Sequence, residues 1–151
     1  MGEDEFTVGR LHPMMDNDLR IRRFEKESHD PEVAVILLDV VLGYGAHSNP
    51  ASELAPVIAE GIRAASENGR KLEVVAIVSG TDQDPQGMQN QIDQLLSAGA
   101  RVEVSNDEAA RWYTEKMETL TLKKPVSVVN ISPVIGANVG IGAAAIAFLT
   151  D

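Results

Sequence analysis

The chain has 151 residues, 44% of them hydrophobic, and a formal charge of −10 from 13 Lys+Arg against 23 Asp+Glu. That length suits one ordinary domain with a real core and is too short for two comfortable ones, so residues 1–151 read as a single unit. The acidic balance offers no footprint for a phosphate backbone and argues against nucleic acid as a partner, while the absence of cysteine excludes a disulfide framework, a thiolate nucleophile and a zinc ribbon.

The acidic start, Met1-Gly2-Glu3-Asp4-Glu5, lacks the basic region and apolar core of a signal peptide, which makes the cytoplasm the default expectation. Residues 1–18 read as an irregular segment that carries His12 between Leu11 and Pro13. Asp16 or Asn17 can cap a helix running through Glu25, on which Arg20, Arg22 and Arg23 read as a solvated face rather than an anion clamp. His29, just before Asp30-Pro31, reads as a surface turn residue.

The run from Val33 to Val41 is apolar without alternation, the pattern of a strand covered on both faces of a parallel sheet. After a glycine-containing loop, Asn49 is suited to cap a helix that Pro50 opens, and Leu54, Val57, Ile58 and Ile62 repeat at helical spacing until Asn68-Gly69. A second strand, Leu72 to Val78, leads through Ser79-Gly80-Thr81-Asp82-Gln83-Asp84-Pro85 to a helix whose buried face is marked by Met88, Ile92, Leu95 and Leu96. Gly99 ends it. Ala100 to Val104 forms a third strand, Asn106 or Asp107 caps a helix to about Glu118, and Val126 to Ile131 reads as a fourth strand. The apolar stretch from Val126 to Leu149 is broken by Asn130, Pro133, Gly136, Asn138, Gly140 and Gly142, which argues against a membrane helix.

Strands and helices in alternation predict an α/β domain with a mostly parallel sheet and helices on both sides, a flavodoxin-like three-layer architecture. In such sheets ligands sit beyond the carboxyl ends of the strands, so the loops after Val41 and Val78 share one face.

The first loop, Leu42-Gly43-Tyr44-Gly45-Ala46-His47-Ser48-Asn49, joins glycines that permit close backbone approach to free amides at a helix start, the requirements for holding a phosphate or carboxylate. The competing reading is that Gly43 and Gly45 only make a sharp turn. The third glycine of the dinucleotide fingerprint and the Walker lysine are both missing. His47 could accept a proton or form a phosphoramidate, or be a plain solvent-facing loop histidine. Thr81 and Asp82, in the second loop, could bind substrate, although carboxylates there can also cap free amides with no further role. No pair of histidines with an acidic residue has metal-ligand spacing, so no metal site is expected.

Several strings taken together, Phe6 to Asp16, Leu19-Arg20, Asp30 to Ala46 and Gly80 to Gln86, resemble the C-terminal part of the FdrA proteins, relatives of succinyl-CoA synthetase. The likeness covers about residues 4 to 131. It implies a CoA-ligase-type domain like the C-terminal domain of succinyl-CoA synthetase subunits. There an acyl phosphate, a phosphohistidine and CoA are handled between subunits, and helix N-termini stabilise the phosphohistidine. The helix starting near Pro50 matches one such helix, with Gly43 and Gly45 on its approach, so Gly43, Tyr44, Gly45, Ala46, Ser48 and Asn49 are the implied phosphate-binding positions. FdrA-type proteins are also associated with carbamoyl transfer, in which carbamoyl phosphate would replace the acyl phosphate.

The resemblance further implies a small phosphorylated substrate, with CoA or a nucleotide supplied through a partner chain. That partner would be a CoA-binding or FdrA N-terminal-like chain, or a second copy in a homo-oligomer. FdrA proteins carry an N-terminal CoA-binding-like region that this chain lacks, so it is expected to be a split subunit or an excised piece. The family's phosphorylated histidine belongs to a loop motif not found here, and His47 inherits nothing from it. The tail 132–151 departs from the family and looks a little like the chain end of DegV-type lipid-binding proteins. From a different class, the domain could be an assembly module that docks through Val134 to Phe148 while catalysis lies in a partner.

Overall fold

The computed structural model describes residues 11 and 14–121. In chain order they form α1 (Asp18–His29), β1 (Val35–Val41), α2 (Pro50–Glu67), β2 (Glu73–Ser79), α3 (Met88–Ser97), β3 (Arg101–Glu103) and α4 (Asn106–Thr121). Two compact units result, Met1 to Val102 and Glu103 to Asp151. The expected strand from Val126 to Ile131, the tail 132–151 and His12 lie outside the described residues.

In the first unit β1 and β2 pair in parallel, Val35 opposite Glu73 and Val41 opposite Ser79, and β3 lies beside β2. A parallel pair needs a crossover, which α2 supplies. The result is the α/β architecture that alternating strand and helix patterns predict. β2 is the strand covered on both faces, with Val74, Val75, Ala76 and Val78 at 1% exposure or less.

β1 corrects the expectation made for it. Val40 is buried, but Leu37 is 43% exposed and the Asp39 side chain is 62% exposed. Among the described residues β1 is at the edge of the sheet, and a continuous apolar run locates a strand without saying how many neighbours cover it.

The signals at both ends of α2 act as expected. Asn49 Oδ1 accepts from the Ser52 amide, Pro50 opens the first turn, and Gly69 leaves the last turn at φ +70. The face formed by Leu54, Ile58, Gly61 and Ala65 is buried, and α2 packs between α1 and α3. Gly61 sets how closely α1 approaches, since a Cβ there would lie 2.9 Å from both the Phe24 ring and the Ser28 Cβ. Arg70 donates to the carbonyls of Ser28 at 2.7 Å and Asp30 at 2.9 Å, satisfying oxygens left free where α1 ends.

Two further expectations need correction. Leu96 is half exposed, and the buried face of α3 is carried by Gln91 and Leu95; at 100° per residue Leu96 turns away from the Gln91–Leu95 line. Arg20 is not on a solvated face. It is 8% exposed, because its position on α1 points at β1, whereas Arg22 and Arg23 do face solvent and pair with Asp18 and Glu27.

In the second unit, Ser105 rather than Asn106 or Asp107 caps α4: its Oγ accepts from the Glu108 amide and its carbonyl from that of Ala109. Asp107 instead pairs with Arg111 at 2.7 Å, one turn on, and Lys116 stands 5.7 Å over the Trp112 ring.

Candidate functional site

The loops after β1 and β2 meet at the carboxyl end of the parallel pair. Leu42 extends the ladder by donating to the Ser79 carbonyl at 2.8 Å, after which the chain turns sharply at Gly43, φ +133, and Gly45, φ +86. Both values are unfavourable for a residue with a Cβ. Gly80 sits where the loops touch. A Cβ there would come within 2.7 Å of the Leu42 Cβ and 2.9 Å of Asp84 Oδ2.

Gln86, 6% exposed, joins the loops. Its Oε1 accepts from the Gly43 amide at 3.1 Å, and its Nε2 donates to the carbonyls of Gly43 at 2.9 Å and His47 at 3.0 Å. Gln91, fully buried on α3, repeats the arrangement one step further along. Its Oε1 accepts from the Ala51 amide at 2.9 Å, and its Nε2 donates to Asn49 Oδ1 and to the Gln86 carbonyl. Two carboxamides therefore fix the glycine loop and the first turn of α2 against α3.

These bonds determine which amides remain open. Gly43 is held by Gln86, Ala46 donates to the Gly43 carbonyl, His47 to the Met14 carbonyl, Asn49 to His47 Nδ1, Ala51 to Gln91 and Ser52 to Asn49. Tyr44, Gly45 and Ser48 have no backbone N–H bond to another described residue, and all three are exposed. The amides free to meet an anion lie on the loop, and the Ala51 and Ser52 amides of α2 are taken up internally. The N-terminal end of the α2 dipole adds positive potential on this side.

His47 has both ring nitrogens engaged. Nδ1 accepts from the Asn49 amide at 3.1 Å, so the proton of the neutral ring sits on Nε2, 3.3 Å from Glu53 Oε1. The other Glu53 oxygen accepts from Asn17 Nδ2 at 3.0 Å, and Asn17 is 1% exposed. Tyr44 stands at the loop tip, 91% exposed. Thr81 is tied to Asp84, whose Oδ2 accepts from its amide at 2.6 Å and faces its hydroxyl at 3.2 Å, while Asp82 is exposed and makes no bond to another described residue.

Gly43 to Asn49 and Thr81 are thus brought into one rim. Gln91 and Glu53 were not named from the sequence, Asn17 was named only as a helix cap, and Gln86 only as the end of the Gly80 to Gln86 string. Only Gln91 carried a readable signal, a polar residue at helical spacing between Met88 and Leu95 on an otherwise apolar face. Among the described residues no cluster of acidic and histidine side chains is suited to a metal ion, and no helix is long and apolar enough to cross a membrane.

Fold and rim together define a parallel α/β domain with a clamped glycine loop at the strand ends. The CoA-ligase family model matches residues 1–117, and the chain belongs to that family. It is similar to the Uncharacterized protein YahF of Escherichia coli (strain K12), 45% identical over 98 residues that make up 65% of this chain and 19% of that protein. The chain thus spans about a fifth of the length of the curated relative it matches.

Proposed function

We propose that this chain is the CoA-ligase domain of an FdrA-type acyl-CoA synthetase or carbamoyltransferase, and that it stabilises an acyl or carbamoyl phosphate at the rim from Gly43 to Asn49. The observation that carries the reading is the set of exposed amides at Tyr44, Gly45 and Ser48 that no described residue accepts from, at the amino end of an 18-residue helix. Donors fixed in advance of the ligand stabilise negative charge without a reorganisation cost. His47 orients Asn49 and Glu53 rather than accepting the phosphoryl group, since neither ring nitrogen is free. Thr81 and Asp82 supply the second wall of the site.

CoA, or a nucleotide, enters through a partner chain that carries a CoA-binding or FdrA N-terminal-like region, or through a second copy of this chain, in the cytoplasm. The domain alone binds the phosphorylated substrate and does not turn it over.

The test is an NMR titration of the labelled chain with inorganic phosphate, carbamoyl phosphate and CoA. Saturable shifts at the Tyr44, Gly45 and Ser48 amides with the two phosphates are expected, together with a raised Tm. Absence of both effects with either phosphate overturns the reading.

A further inference from the structure

The free amides of the rim depend on one buried side chain. Gln86 meets three backbone groups of the neighbouring loop, one donor and two acceptors, all within 3.1 Å. Only a carboxamide can serve this combination. A carboxylate accepts but cannot donate, an ammonium or guanidinium donates but cannot accept, and a thioether of the same length does neither.

The two acceptors, the Gly43 and His47 carbonyls, bracket the segment that carries the open amides. Both carbonyls point to Gln86, and the Gly43 carbonyl also accepts from the Ala46 amide at 3.3 Å, so the turn is tied at both its ends. Gly43 can take its φ of +133 because it lacks a Cβ, and its amide is held by the same carboxamide. Gln86 is itself anchored, since its carbonyl accepts from the buried Gln91 at 3.1 Å.

We infer that Gln86 is the positioning residue of the anion rim: it holds the 43–48 loop in the one shape that leaves the Tyr44, Gly45 and Ser48 amides unpaired among the described residues. The inference rests on the anion-binding reading of this rim. It makes the affinity of the β1 loop for a phosphorylated ligand a property set by a residue of the β2 loop.

The test uses the full chain with Gln86→Met and Gln86→Glu, and Val74→Ala as a control that opens a cavity in β2 far from the loop. Two quantities are measured for each folded variant, the Kd for inorganic phosphate and the order and hydrogen exchange of the Tyr44 to Ser48 amides without ligand. Gln86→Met is expected to weaken phosphate by about tenfold or more, as for one or more lost positioned bonds, and to mobilise the loop while the β2 amides stay protected. Val74→Ala lowers Tm and leaves both loop readouts unchanged. Gln86→Glu keeps an acceptor for the Gly43 amide at equal size but faces two carbonyls with an oxygen, so it is expected to show the same loop mobility and weakened phosphate binding. Wild-type affinity together with a wild-type loop in either Gln86 variant overturns the inference. Failure of the wild-type chain to bind phosphate overturns the rim reading instead, and the ligand-free loop measurements then still decide the role of Gln86.

Discussion

The guanidinium of Arg20, on α1, donates to the backbone carbonyl of Asp39, on β1. The pairing register makes this contact meaningful. Ala34 and Leu42 carry ladder bonds to β2, so even-numbered residues of β1 face that strand and the backbone of Asp39 points away from it, to the side where β1 has no strand neighbour among the described residues. A buried cation closed over an edge carbonyl satisfies it and discourages strand addition there. Burial lowers the pKa of Arg20, and the nearby Asp39 carboxylate opposes that shift.

Replacing Arg20 with Met keeps the apolar stem and leaves the Asp39 carbonyl without its donor, at a cost of about 1–3 kcal/mol. Asp39→Asn keeps the backbone contact and removes only a largely exposed charge 4.0 Å away, for a change under about 1 kcal/mol. Urea unfolding of the two variants should separate them in that order; equal stabilities would show that the carbonyl contact contributes nothing.

Gly61→Ala brings a methyl to 2.9 Å from Ser28 Cβ, a neighbour fixed by its own backbone. Overpacking of this kind costs about 1–3 kcal/mol, against a helix-propensity gain of about 1 kcal/mol. A net loss is expected in thermal unfolding. A Tm above that of the wild type would mean that α1 shifts freely on α2.

Gly80 and Gly45 offer a comparison between crowding and backbone strain. Alanine at position 80 meets Leu42 at 2.7 Å and should cost about 1–3 kcal/mol by overpacking. At position 45 nothing stands within 4 Å, but a φ of +86 disfavours a Cβ by about 1–2 kcal/mol. Both variants are destabilised in urea, and only Gly80→Ala is expected to disturb the Asp84 to Thr81 turn seen by NMR.

With both its nitrogens occupied, His47 should not be phosphorylated. Incubation with carbamoyl phosphate, followed by intact-mass measurement at neutral pH, is expected to show no phosphoryl adduct. His47→Ala removes the acceptor of the Asn49 amide and should cost about 0.5–1.5 kcal/mol. A stable adduct mapped to His47 would assign it the chemistry instead.

The order of elements, the start of α2 at Pro50 under an Asn49 cap, and the glycine turn before it were all legible in the sequence. Each depends on forces acting over a few residues: apolar periodicity, a side chain reaching its own helix start, and a φ that only glycine takes easily. Tertiary structure decided which side of the pattern was buried. Arg20 turned inward because β1 lies across α1, and Leu96 turned outward although it continues an apolar run.

The working detail of the rim was decided there too. The composition of the loop from Leu42 to Asn49 suggested free amides, but which remain free depends on Gln86 and Gln91, 39 to 43 residues away in sequence. A polar residue on an apolar helix face hints at Gln91, but no local pattern marks Gln86 or names the partners of either, which exist only once two strand ends have been brought side by side.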